Sequence, residues 1–243
     1  MQNRRNFIQK FSLAAASLFT FPLFGNQNQK SQNMENVVKK VKALGFQWET
    51  LDPFLFCVHH EDKFPKGNEN MEPDVSLKGR HLGDDFIIKD GWRMYHGKKV
   101  PGFPGHPHKG FETITVVREG WVDHADSLGA AGRYGNGDVQ WMTAASGIQH
   151  IEQFSPKFRE QGGYFEMVQL WVNLPAKDKM STPHYQSLLN NTIPKILLKN
   201  DAGYVRIVAG QFQNTRGIAQ TFSPMNVLDV HLKKGYQITL PAD

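Results

Sequence analysis

Two short histidine-containing segments hold the residues best suited to chemistry. The first, Gly-His-Pro-His-Lys-Gly-Phe-Glu, contains His106 and His108, and the second, Gly-Ile-Gln-His-Ile-Glu, contains His150 and Glu152. Residues two apart on a strand point to the same side, so each pair can project from one face of its strand. Three imidazoles and a carboxylate that converge in this way form a ligand set for a divalent transition metal of the iron, nickel, copper or manganese type.

The segments around both pairs have the composition of strands. Residues 113–117 form a β-branched run that ends at Glu119 and Gly120, and residues 138–143 follow a Tyr-Gly-Asn-Gly turn signal. The long apolar run 164–174 predicts a central strand. Together these elements predict an all-β fold, a cupin (double-stranded β-helix or jelly-roll barrel) that holds a metal.

Several motifs resemble the pirin family in their order and spacing. They are HPHKGFET, DHADSLG, GDVQWMTAASGIQHIE and VQLWVNLP, while LDPFLFCVHH and DGWRMYHGKKVPGFPGHPH resemble a bacterial branch with a longer loop before the first histidine pair. The resemblance covers about residues 45–243. It implies a bicupin with one iron in the N-terminal barrel, bound by His106, His108, His150 and Glu152.

The identity of the carboxylate ligand in that set stays open. General cupins use the Glu four residues after the histidine pair, which here is Glu112, and its parity on the strand matches that of His106 and His108. The pirin pattern instead favours Glu152, with Glu112 nearby and unligated.

The resemblance also implies an activity. Some pirins are quercetin 2,3-dioxygenases, so we expect an oxidoreductase that uses Fe(II), with Ni, Mn, Cu or Co as other candidates, and a small aromatic substrate. Glu152 is the candidate catalytic residue, either as a ligand or as a base for the flavonol hydroxyl. The alternative is a non-catalytic, iron-binding, redox-sensing interaction protein. A third hypothesis is a storage-like cupin with neither role.

Residues 1–30 predict an export signal and a linker. Arg4 and Arg5, followed by Phe7 and a short apolar run, resemble a twin-arginine signal, and such a run is too short to span a bilayer. We therefore expect an exported, periplasmic protein. No Ala-x-Ala site follows the run, so cleavage stays open, and no other membrane association is predicted.

Composition narrows the remaining classes. The formal charge of the chain is +5. Residues 1–29 contain three basic residues and no acidic residue, so the rest of the chain carries a formal charge of +2. No basic stripe interleaved with aromatic residues remains, so direct nucleic-acid binding has no support. The single cysteine, Cys57, lies in an apolar run and is predicted to be a core residue.

The predicted domains are an N-terminal metal-binding cupin at residues 36–176 and, at 177–243, a linker with the incomplete start of a C-terminal cupin. Residues after 190 offer three or four strands, whereas a closed barrel needs about eight. We therefore expect a truncated second barrel. Its open strand edges could lead to self-association with another chain.

Three further features of the sequence give weaker indications of function. His59 and His60 point to opposite faces of a strand and are interpreted as turn or surface histidines. The polar insertion 61–91 could roof the site or cover a subunit interface. His124 and Asp126 mimic a ligand pair but are interpreted as residues that hydrogen-bond around a turn.

Overall fold

The structure, a computed structural model, describes residues 43–240. The predicted export signal and linker at residues 1–30 lie outside the described part. Within residues 43–240, no helix has the length and apolar character needed to cross a membrane.

Strands dominate the described chain. Residues 156–161 form a short helix, α1 (Pro156–Gln161), and two 3-10 turns cover Ala176–Asp178 and Lys199–Asp201. The strands are β1 (Gln47–Trp48), β2 (Phe54–Phe64), β3 (Gly102–His108), β4 (Phe111–Glu119), β5 (Trp121–Asp126), β6 (Ala131–Gly135), β7 (Val139–Thr143), β8 (Ile148–Phe154), β9 (Gly163–Asn173), β10 (His184–Leu188), β11 (Lys195–Leu197), β12 (Gly203–Ala209), β13 (Gln211–Phe212), β14 (Thr215–Arg216) and β15 (Val227–Leu232).

Two antiparallel sheets form the barrel that carries the histidine segments. One sheet has the order β1-β2-β9-β4-β7-β10 and the other the order β3-β8-β5-β6. The strands predicted around residues 113–117, 138–143 and 164–174 are β4, β7 and β9, and β9 lies between β2 and β4. The all-β cupin prediction is therefore confirmed.

The core of the barrel lies between these two sheets. Phe64 of β2, Phe154 of β8 and Phe165 of β9 belong to one buried cluster, and the ring of Phe154 lies 4.5 Å and 4.7 Å from those of Phe64 and Phe165. Aromatic pairs at these separations contribute packing energy beyond their buried area. Cys57 is also buried, as predicted, and burial raises the pKa of its thiol to about 11.

A tight turn carries the chain from β6 in one sheet to β7 in the other. Asn136 and Gly137 both have positive φ angles, of 50° and 97°. Gly and Asn adopt this left-handed conformation more readily than other residues, so the Asn-Gly pair suits a tight turn. The turn leads into β7, where Thr143 lies opposite Glu112 of β4.

The strands after residue 190 pack on the outside of the six-stranded sheet. The strands β11, β12 and β15 form a sheet of their own, and Val208 and Val227 join a buried cluster with Trp141 of β7. Residues 184–188, which the sequence placed in the linker, form β10 and pair with β7. The first sheet therefore extends past the predicted domain boundary at residue 176.

The insertion between β2 and β3 is fixed by buried ion pairs. The Arg80 guanidinium lies 3.0 Å from Asp85, donates to the Lys89 carbonyl at 2.7 Å and stacks on the Trp92 ring at 3.6 Å. The Arg93 side chain donates to Asp62 of β2 at 2.9 Å. These contacts hold the polar insertion against the barrel.

One interpretation from the sequence is wrong. His60 is neither a turn nor a surface residue, since β2 continues to Phe64 and the His60 side chain is only 3% exposed. His59 points to the opposite face, as the strand geometry requires, and its ring contacts Glu166 at 3.3 Å.

Candidate metal centre and its cavity

The two histidine segments meet because β3 and β8 are antiparallel neighbours with His106 opposite His150. The Nε2 atom of His150 lies 2.9 Å from the Nε2 atoms of both His106 and His108. Within the described residues, these three histidines form a group whose candidate ligand atoms all lie within 4.8 Å of one another. The predicted convergence of the three imidazoles is therefore present.

Hydrogen bonds on the far sides of two rings determine which nitrogen carries the proton. His106 Nδ1 lies 2.8 Å from the Pro104 carbonyl, which can only accept, so Nδ1 carries the proton and Nε2 is bare. His150 Nδ1 lies 3.3 Å from His124 Nδ1, and His124 Nε2 lies 3.2 Å from the Asp126 carboxylate. The arrangement that satisfies both contacts has His124 donating to Asp126 and His150 donating to His124. This arrangement also leaves His150 Nε2 bare.

The Asp126 side chain is fixed in turn by the backbone. Its Oδ1 atom accepts hydrogen bonds from the Leu128 and Ala130 amides, at 2.9 Å and 3.1 Å. Asp126 therefore closes the turn after β5, and its Oδ2 atom also orients His124. Such outer contacts set the tautomer and orientation of metal-binding histidines in proteins.

The donor set fits a cation. Lone pairs that face one another at 2.9 Å repel unless a positive charge lies between them. A metal about 2.1 Å from each nitrogen, with ligands at right angles, would separate those nitrogens by about 3.0 Å. Burial, then the neighbouring His106, lowers the pKa of His108 to about 4. Burial, followed by the charges of the neighbouring histidines, lowers the pKa of His150 to about 2, so both rings are neutral and ready to bind a metal at neutral pH.

Glu152 lies two residues beyond His150, but its carboxylate is outside the 4.8 Å group. Both of its oxygens lie 3.3 Å from Gln169 Nε2, and Gln169 Oε1 accepts from Trp171 Nε1 at 3.0 Å. Burial raises the pKa of Glu152, while the Gln169 hydrogen bond acts in the opposite direction. Its roles as ligand and as base stay predictions.

Glu112 is held on a different set of partners. Its Oε1 atom accepts from Thr143 Oγ1 at 2.7 Å and from Trp141 Nε1 at 3.0 Å, and the residue is 1% exposed. Burial raises its pKa, with both hydrogen bonds acting in the opposite direction. These contacts link β4 to β7 across the sheet, and Glu112 is also outside the 4.8 Å group.

A cavity of about 500 Å³ opens beside the histidines. Both His106 and Glu152 line it, as do His60 of β2 and Gln169 of β9. Much of the remaining wall is aromatic, from Phe46, Phe56, Phe86, Phe103 and Trp171. The volume and the mixture of apolar rings with a few polar groups are typical of a small-molecule site.

Sequence reasoning did not place three of these wall residues at the site: Phe86, His96 and His60. Phe86 lies in the insertion 61–91 and His96 follows it, so the segment before β3 contributes to the wall of the cavity. His60 was missed because it was interpreted as a turn or surface residue. The signal was present, since Phe56, Val58 and His60 alternate along one face of β2.

Comparisons with known proteins agree with this architecture. Residues 35–172 match the family described as Pirin. A Pseudomonas aeruginosa protein named "Putative quercetin 2,3-dioxygenase" is 55% identical over 139 residues, which cover 57% of this chain and 49% of that protein. A "Pirin-like protein" of Solanum lycopersicum is 40% identical over 171 residues, which cover 68% of this chain and 55% of that protein.

A solved structure is also similar. A quercetin 2,3-dioxygenase from Acinetobacter baumannii superposes with a TM-score of 0.61 at 38% identity, and the match covers 76% of this chain and 55% of that one. The chain spans about half the length of the curated relatives it matches. With the family match covering more than half of its residues, the chain belongs to the pirin family of cupins.

Proposed function

We propose that this chain is an iron-dependent dioxygenase that cleaves flavonols of the quercetin type. The observation that carries the proposal is the triad of histidine Nε2 atoms at the wall of an aromatic cavity. A bound divalent iron would supply a Lewis acid for the deprotonated flavonol oxygen and for dioxygen. The names of the Pseudomonas and Acinetobacter proteins support the same reaction class.

The cavity residues bind and orient the substrate. The rings of Phe56 and Trp171 lie 4.9 Å apart, and the Trp171 ring lies 5.2 Å from that of His108. A planar flavonol packed between these rings and Phe103 would place its hydroxyl near the histidines. The same rings exclude water, which strengthens every polar contact in the site.

Glu152 is the proton acceptor in this proposal. Its carboxylate would take the proton of the flavonol 3-hydroxyl, while Gln169 Nε2, 3.3 Å from both of its oxygens, keeps it directed into the cavity. One flavonol and one dioxygen then give one phenolic ester and one carbon monoxide. Two ring carbon–carbon bonds break, and both dioxygen atoms enter the ester.

The test is the stoichiometry of the reaction. The full chain loaded with Fe(II) is mixed with quercetin, and oxygen uptake and carbon monoxide release are recorded together. We expect one carbon monoxide for each oxygen consumed, and a loss of at least about a hundredfold in rate for Glu152→Gln, the scale of general base catalysis. Iron-loaded protein that consumes no oxygen above a protein-free control would contradict the proposal and favour a non-catalytic binding role.

We also propose that the activity is periplasmic, on the basis of the signal inferred for residues 1–30. Fractionation of cells that express the full chain tests this proposal. A variant with Arg4→Lys and Arg5→Lys should stay in the cytoplasm, whereas equal distribution of both proteins would contradict twin-arginine export.

A further inference from the structure

We propose that His60 is a second polar contact for the ligand, which hydrogen-bonds a phenolic hydroxyl remote from the metal-binding histidines. The inference rests on the proposed function for the class of ligand alone. It assigns a specificity-determining role to a residue that binds no metal and lies on β2, outside both histidine segments.

His60 is a buried polar group without a protein partner. Its Nδ1 atom makes no hydrogen bond within the described structure, and the residue is 3% exposed. Its ring packs against those of Tyr95, Phe46 and Phe103, at 4.9 Å, 5.0 Å and 5.5 Å. Because leaving a buried polar atom unpaired is costly, such an atom in a native protein calls for an explanation.

The imidazole ring of His60 is neutral, so it can both donate and accept a hydrogen bond. Burial, with further contributions from Arg93 and His59, lowers the pKa of His60 to about 3. The neighbouring charge is already paired, since Arg93 donates to Asp62 at 2.9 Å. A neutral imidazole offers one donor and one acceptor, which matches the hydroxyl group of a phenol.

The strands separate His60 from the metal-binding histidines along the cavity. Phe56 of β2 pairs with Trp171, whose ring contacts His108, whereas His60 pairs with Met167. Phe56 and His60 are four residues apart on the same strand, a separation of about 13 Å at 3.3 Å per residue. Both side chains line the same cavity.

This spacing selects a class of ligand. A flat aromatic molecule fits between the ring-lined walls, and one polar group at each end would meet His60 at one end and His106 at the other. Polyphenols with hydroxyls on both of their outer rings have this form. An aromatic compound with a hydroxyl at the metal end alone would leave His60 unpaired, so it should bind more weakly.

The experiment compares two flavonols under anaerobic conditions, where no turnover occurs. Binding of quercetin, which has hydroxyls on all rings, and of 3-hydroxyflavone, which has one, is measured on the Fe(II)-loaded full chain by tryptophan fluorescence. We expect the wild type to prefer quercetin, and His60→Leu to reduce that preference about five- to tenfold, the effect of one lost hydrogen bond. His60→Gln, which keeps hydrogen-bonding capacity, should restore part of it.

The matched control is His59→Leu, on the neighbouring residue whose ring faces Glu166 on the other side of the strand. It should leave the preference unchanged. A His60→Leu preference within twofold of wild type overturns the inference. If His60→Leu does not fold, His60→Phe replaces it as the test variant. A wild-type preference for quercetin below twofold would by itself overturn the inference. Admission of dioxygen afterwards tests turnover separately, so failure of the dioxygenase proposal would leave the binding ratio readable.

Discussion

Asp126→Asn should disrupt the metal site from outside it. Asp126 Oδ1 accepts from two backbone amides, and an Asn side chain would keep its oxygen there to preserve the turn. Its NH₂ group would then face His124 Nε2, which is 3.2 Å from Oδ2 in the native protein. Two donors cannot share that contact, so His124 must move its proton to Nδ1.

The changed tautomer of His124 then affects His150, one of the candidate metal ligands. A protonated His124 Nδ1 faces His150 Nδ1 at 3.3 Å, so His150 must either break this contact or shift its own proton to Nε2. A proton on Nε2 blocks the atom that lies 2.9 Å from the Nε2 atoms of His106 and His108. Losing this orientation should weaken metal binding by about 10- to 100-fold.

Chelator competition with the full chain measures this change, and Asp123→Asn is the matched control. Asp123 lies on the same strand, but it pairs with Arg133 at 2.7 Å on a partly exposed face. We expect Asp123→Asn to retain wild-type metal affinity. If Asp126→Asn also stays within about threefold of wild type while folded, the proposed chain of hydrogen bonds from His150 through His124 to Asp126 is refuted.

Three further predictions concern other residues of the site and its supports. Glu152→Gln should lower iron affinity at least about tenfold, whereas Glu112→Gln should not, and the reverse result in chelator titrations would assign the carboxylate ligand to Glu112. The folded-state pKa of His60 is about 3 against an ordinary 6.5, so the unfolded chain binds more protons between these values and stability decreases as the pH is lowered through this window. At pH 5 the loss due to His60 is about 2 kcal/mol, and metal-free His60→Gln should lack it in urea titrations at pH 5 and 7.5; parallel losses in both proteins would argue against it. Arg80→Ala should cost about 3 kcal/mol by leaving the buried Asp85 charge without its cation, and it should expose residues 65–101 to limited proteolysis without lowering iron content. Unchanged proteolysis would show that Arg80 does not fix the insertion.

The sequence predicted the parts of the site that depend on local periodicity. The period-two spacing of His106 with His108 placed both rings on one strand face, and the strand pattern placed β3 and β8 in one all-β barrel. The Asn-Gly turn and the apolar run of β9 were predictable for the same reason, because each is encoded within a few residues.

What escaped prediction depends on contacts between distant residues. The burial of His60 arises from rings at Phe46, Tyr95 and Phe103, which are remote from it in the sequence. The hydrogen bonds of Glu152 come from Gln169 on another sheet. No local pattern reports such tertiary partners, and the same limit explains why Glu112 and Glu152 were equally compatible with strand parity.

Metal binding by His106, His108 and His150 can be tested on the protein itself. The most direct test is the iron content of the purified, untagged full chain beside a variant with both His106→Ala and His150→Ala. We expect near-stoichiometric iron in the parent chain and its loss in the double variant. A parent chain that binds no metal, or a double variant that binds as much, would contradict the assignment of the site.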